Sequence, residues 1–95
     1  MILTIDIGNS NIDLAYFDDN KIVSSYEFET KKFSTSYEYA LMIEWTLKRE
    51  RLQEKEVSGV ALSSVVPSLT SSFIEAINYL FGNPPFVVEP GIKTG

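Results

Sequence analysis

Near its amino terminus the chain reads Thr4-Ile5-Asp6-Ile7-Gly8-Asn9-Ser10-Asn11, a carboxylate inside an apolar run followed at once by a glycine and three small polar residues. Two readings suit that order. Gly, Asn and Ser are turn formers, so the stretch can be a strand ending in a tight hairpin, with Gly or Asn free to take positive φ. The same residues can also cradle a phosphate. Gly8 lets backbone approach an anion closely, and successive amides from Gly8 to Asn11 can form an anion nest. Asp6 alone would repel that phosphate. It becomes useful with a hydrated Mg²⁺ between them, since this ion keeps several waters and takes one or two protein carboxylates. Asn9, Ser10 and Asn11 add neutral donors. On residue types alone both readings stand.

The elements that must position this stretch follow from periodicity. Ile2-Leu3-Thr4-Ile5 is a short β-prone run. Ile12 to Phe17 resumes a strand after the Gly8–Asn11 turn, Asp18-Asp19-Asn20-Lys21 is a second turn signal, and Ile22 to Phe28 alternates as a third strand. From Thr35 the period changes. Thr35-Ser36-Tyr37-Glu38 matches a capping box, and Ala40, Leu41, Ile43, Trp45 and Leu47 carry a helix to about Arg51. Lys48 to Glu56 mixes both charge signs and reads as a solvated helix end with i,i+4 pairs. Val57 to Ser64 reads as a strand covered on both faces. Pro67 opens a second helix to Phe81, closed by Gly82 as its C′ residue, and Phe86-Val87-Val88 is a last short strand. Trp45, Phe73, Tyr79 and Phe81 read as helix packing.

The order is βββαβαβ. Hairpins join the first three strands, and each later strand is reached through a helix and so can return parallel to the first. The arrangement that satisfies both is an α/β mixed sheet in the order 3-2-1-4-5 with helices covering its faces. It resembles a ribonuclease H-like sheet, the half-domain of the actin and sugar-kinase group, without that unit's final helix. Strands one, four and five then share a carboxyl edge bearing Asp6, Ser63-Ser64 and Glu89-Pro90-Gly91, beside the point where the connectivity changes direction. Open α/β sheets bind ligands in such crevices.

Composition removes several alternatives. The 95 residues suffice for one small domain, and a formal net charge of −5 disfavours nucleic acid as a partner. There is no cysteine and no histidine, which excludes disulfides, imidazole or thiolate metal ligands, cysteine nucleophiles and Ser-His-Asp chemistry. No apolar run approaches the roughly 18 residues needed to span a bilayer, so the expectation is a cytoplasmic protein without a membrane partner. Ser63 and Ser64, lacking a nearby base, read as turn-capping hydroxyls. Glu89 reads as a cap or a solvated carboxylate, and Asp13, Asp18 and Asp19 as surface or turn residues, with Asp13 near enough to the first turn to tune its field.

Three segments carry a family resemblance. Asp6-Ile7-Gly8-Asn9-Ser10-Asn11 resembles the first phosphate motif of the type III pantothenate kinases, Ser63-Ser64-Val65-Val66-Pro67 resembles that family's strand-end segment, and Pro90-Gly91-Ile92-Lys93-Thr94-Gly95 its following loop. They stand in matching order and span essentially the whole chain. The resemblance implies ATP-dependent phosphorylation of pantothenate, the first committed step towards coenzyme A, by a cytoplasmic homodimer that uses Mg²⁺ and a monovalent cation, K⁺ or NH4⁺. It implies a nucleotide phosphate loop of Asp6, Ile7, Gly8, Asn9, Ser10, Asn11, Ile12 and Asp13, with Asp6 facing the metal and Lys93 within reach of a phosphate or the substrate carboxylate. Family chains continue into a Gly-Ala-Asp-Arg segment with the catalytic base and a second phosphate motif in a second domain. None of these occurs in the 95 residues, which therefore read as an incomplete amino-terminal phosphate-binding domain, inactive alone. The competing function is a non-catalytic binding or regulatory module related to the Bvg accessory factors.

Overall fold

A computed structural model describes residues 1–88. The readings placed on Glu89, on the Pro90–Gly95 loop and on Lys93 lie outside the described residues. Strands β1 (Ile2–Ile7), β2 (Asn11–Asp18) and β3 (Lys21–Glu29) come first, followed by helix α1 (Ser36–Arg49) and a 3₁₀ turn (Glu54–Glu56). Strand β4 (Gly59–Ser64), helix α2 (Pro67–Phe81) and strand β5 (Phe86–Val88) complete the order. The sheet runs β3-β2-β1-β4-β5, with β1–β2 and β2–β3 antiparallel and β1–β4 and β4–β5 parallel. This is the topology expected from the connections.

Local chemistry explains the element ends. Asp19 and Asn20 both take positive φ, 48° and 65°, the mirror-image turn that matches strand twist in a two-residue hairpin. At the start of α1 the Thr35 hydroxyl accepts from the Glu38 amide at 3.3 Å and the Thr35 amide donates to the Glu38 carboxylate at 2.8 Å, so the capping box is formed. Helix α2 begins with Pro67 and ends at Gly82, whose φ of 75° provides the left-handed cap.

Leu3, Ile5 and Ile7 of β1 face inward with Ile12, Leu14 and Tyr16 of β2 and Val60 and Leu62 of β4. Tyr39, Ala40, Ile43 and Leu47 of α1 and Leu69, Phe73, Ala76 and Ile77 of α2 meet them in one core. Tyr39 and Phe73 stack across the two helices with ring centroids 4.2 Å apart, and the Ser36 hydroxyl donates to the Glu75 carboxylate at 3.2 Å. A pair of hydroxyls, on Thr46 and Tyr16, is buried in this core. The Thr46 hydroxyl donates to the Ile43 carbonyl at 2.7 Å, so its proton is committed and the Tyr16 hydroxyl donates to it, also at 2.7 Å.

Three sequence expectations are corrected. Both helices pack on the same face, so the opposite face, with Asp6, Asp13, Ala61 and Ser63, is not covered by α1 or α2; β4 alternates in burial and is not enclosed on both sides. Gly59 and Ala61 count as apolar in the sequence, but they are too small to demand cover. The charged run from Lys48 is not one helix end, because α1 stops at Arg49 and Arg51 turns to a φ of 56° before the 3₁₀ turn. Tyr79 is largely exposed rather than packed, whereas Phe73 is buried and Trp45 lies edge-on to Tyr26 and Phe28 with half its surface in solvent.

Candidate functional site

Strand β1 delivers the site. Its register sets Asp6 directly opposite Asp13 on β2 and beside Ser63 on parallel β4, all three on the face that the helices leave open. Both aspartates are exposed. Like charges facing each other across a ladder are unfavourable unless water or a cation screens them. Ile7 and Ile12 face the other way and are fully buried, so their side chains anchor the turn from below while only their backbone reaches its upper surface.

Between these anchors the chain reverses through Gly8, Asn9 and Ser10. The Gly8 amide donates to the Asn11 carbonyl at 2.9 Å, and the Val65 amide donates to the Ile7 carbonyl at 3.0 Å, which ties the turn to the end of β4. Among the described residues the amides of Asn9 and Ser10 make no backbone hydrogen bond, leaving donors at the rim. Gly8 has no positive φ; its demand is for space, because a Cβ there would lie 3.1 Å from the Asn11 carbonyl oxygen. The space Gly8 keeps is towards its own hairpin backbone, and the positive φ that the sequence allowed for in this turn is not taken by Gly8, Asn9 or Asn11; the neighbouring hairpin takes it at Asp19 and Asn20.

Residue Thr30, just after β3, was not among the candidates. Its hydroxyl donates to the Gly8 carbonyl and its amide to the Ser10 carbonyl, each at 2.9 Å. No motif marks it, and only the strand order β3-β2-β1 brings it near. The Ser64 hydroxyl accepts from the Val66 amide at 3.0 Å, in keeping with a turn-capping serine. A groove of about 600 Å³ opens on the far side of the β4 end, lined by Ser64, Val65, Pro67, Thr70, Ile74 and Val87. It is mostly apolar, and no residue from Asp6 to Asn11 lines it. Free amides of the kind at the turn can recognise an anion, which an aliphatic groove does not.

The donor set suits a hydrated divalent ion. Asp6 and Asp13 supply one or two carboxylates, and among the described residues no three acidic groups gather into a metal cage. Mg²⁺, which keeps several waters and shares substrate phosphates, fits such a sparse set.

A mixed 3-2-1-4-5 sheet with a tight turn after its first strand is the architecture of the actin and sugar-kinase group. Solved structures agree on the fold: a ROK hexokinase from Thermus thermophilus superposes with a TM-score of 0.70 over 93% of this chain and 34% of its own, at 14% identity. A Ppx/GppA family member from Aquifex aeolicus superposes at 0.52 over 94% of this chain and 35% of its own, at 20% identity. The family model for type III pantothenate kinase matches residues 2–95, and the chain belongs to that family. A type III pantothenate kinase of Dictyoglomus turgidum is 87% identical over all 95 residues, and one of Geotalea uraniireducens is 37% identical over the same length. The chain spans 37% of the length of each.

Proposed function

We propose that these residues are the amino-terminal nucleotide-phosphate-binding domain of a kinase that transfers the γ-phosphoryl group of ATP to pantothenate. The observation that supports it most is the turn itself: amides without backbone partners at Asn9 and Ser10, at the carboxyl end of β1, beside the switch from antiparallel to parallel pairing. Backbone donors at such a crevice fit the phosphates of a nucleotide. Asp6, with Asp13 across the ladder, would hold Mg²⁺, which neutralises charge at the transferring phosphoryl group. Gly8 keeps the backbone open to the phosphates, and Ile7 and Ile12 hold the turn rigidly over the core.

On this reading the base that accepts the pantothenate hydroxyl proton belongs to a carboxy-terminal domain, along with a second phosphate motif, and the 95 residues alone give no turnover. Lys93 is proposed to approach a phosphate or the pantothenate carboxylate. The monovalent cation, the homodimer and the cytoplasmic location belong to the same proposal; for the last, no helix among the described residues is long and apolar enough to cross a membrane.

The test uses the full-length protein in a coupled assay with pantothenate and ATP. At saturating Mg²⁺, Asp6→Asn is expected to lower kcat at least roughly tenfold with little change in nucleotide affinity, since the carboxylate acts on transition-state charge. Normal kcat in Asp6→Asn, or no ATP-dependent phosphorylation of pantothenate by the unaltered protein, contradicts the proposal.

A further inference from the structure

We propose that Thr30 is a positioning residue of the phosphate turn, setting the directions in which the Asn9 and Asn11 amides point; this rests on the phosphate-binding reading above. Two hydrogen bonds carry the argument. The Thr30 hydroxyl donates to the Gly8 carbonyl and the Thr30 amide donates to the Ser10 carbonyl, both at 2.9 Å. A trans peptide unit is planar, so its carbonyl and the following N–H point in opposite directions. No peptide bond among the described residues is cis. Holding the Gly8 carbonyl towards Thr30 therefore turns the Asn9 N–H away from it, and holding the Ser10 carbonyl does the same for the Asn11 N–H.

This control matters most at the first of the two peptides. Glycine lacks the Cβ that restricts ψ, so the peptide after Gly8 is the one the chain itself constrains least. Its direction comes from outside, from a hydroxyl 22 positions further along the sequence. The amide bond to Ser10 is backbone and survives any side-chain change except proline. The hydroxyl bond belongs to Thr30 alone, and that makes the two contributions separable.

The experiment compares Thr30→Val, Thr30→Ser and, as a control on the turn, Gly8→Val in the full-length kinase. Valine keeps the β-branched shape and the amide while removing the hydroxyl; serine restores it. Thr30→Val is expected to raise the KM for ATP and the Kd for ADP about three- to tenfold, the range for one hydrogen bond. The KM for pantothenate and the Tm should stay near those of the unaltered protein, and Thr30→Ser should return ATP binding to within about twofold. An unchanged KM for ATP in Thr30→Val overturns the inference. So does an equal rise in both KM values with a fall in Tm, or a Thr30→Ser variant as impaired as valine. If Thr30→Val does not fold, Thr30→Ala replaces it in the same comparison. Gly8→Val separates the two levels. Lost nucleotide binding there with normal binding in Thr30→Val refutes the role of Thr30 alone, whereas normal binding in Gly8→Val refutes the phosphate turn itself.

Discussion

A Cβ at Gly8 would sit 3.1 Å from the Asn11 carbonyl oxygen, the same oxygen that accepts the Gly8 amide. Backbone yields less readily than a side-chain tip, so Gly8→Ala should lengthen that bond and cost about 1 kcal/mol, within the usual range for overpacking. Chemical denaturation checks this, and an alanine variant as stable as the parent would show the turn to be pliant. Tyr16 offers a second test at this scale. Burial raises its pKa from 10.0 to about 12. Below the unfolded value both states hold the phenolic proton and the contribution is constant. Between pH 10 and about 12 the unfolded chain ionises while the folded one does not, so stability falls with rising pH by up to ~2–3 kcal/mol. Burial also raises Tyr26 and Tyr39, which add to the fall. Urea midpoints measured across this range should drop steeply in the parent and less in Tyr16→Phe; parallel curves would contradict the assignment.

The two helices end in the same left-handed geometry with different residues. Gly82 takes a φ of 75° after α2, and Arg51 takes 56° after α1. Glycine adopts that region freely, whereas a side chain there costs roughly 1–2 kcal/mol. Arg51→Gly should therefore stabilise the protein by about 1 kcal/mol and Gly82→Ala destabilise it by a similar amount. Opposite shifts in thermal midpoint support this account; shifts of the same sign do not. The glycine cap and the start of α1 were legible in the sequence, because Gly82 announces its cap and Thr35 with Glu38 announces the capping box. The end of α1 was not, since nothing in an arginine signals positive φ and the helical pattern runs on to about Arg51. The strand β4 misled for a related reason. Its small residues Gly59 and Ala61 read as buried, yet only Val60 and Leu62 face the helices.

Across the whole molecule, topology was the most readable feature. Short turns force antiparallel neighbours and helical crossovers force parallel ones, and these rules alone lead to the order β3-β2-β1-β4-β5. They also bring Asp6 and Ser63 side by side, as the sequence reading of a shared sheet edge required, and they set Asp13 opposite Asp6, which that reading did not include. What they do not convey is which face each helix takes, or that a threonine after β3 reaches past β2 to the Gly8 carbonyl at the end of β1. Such contacts depend on sheet twist and side-chain reach, which no local pattern encodes. The central claim is that the amides from Asn9 to Asn11 bind nucleotide phosphate, and backbone NMR on the full-length protein tests it most directly. Titration with a non-hydrolysable ATP analogue and Mg²⁺ should produce the largest amide shifts at Gly8 to Asn11, with the buried strand positions Leu3 and Ile5 nearly still. Saturable nucleotide binding that leaves Asn9, Ser10 and Asn11 unshifted would contradict the account.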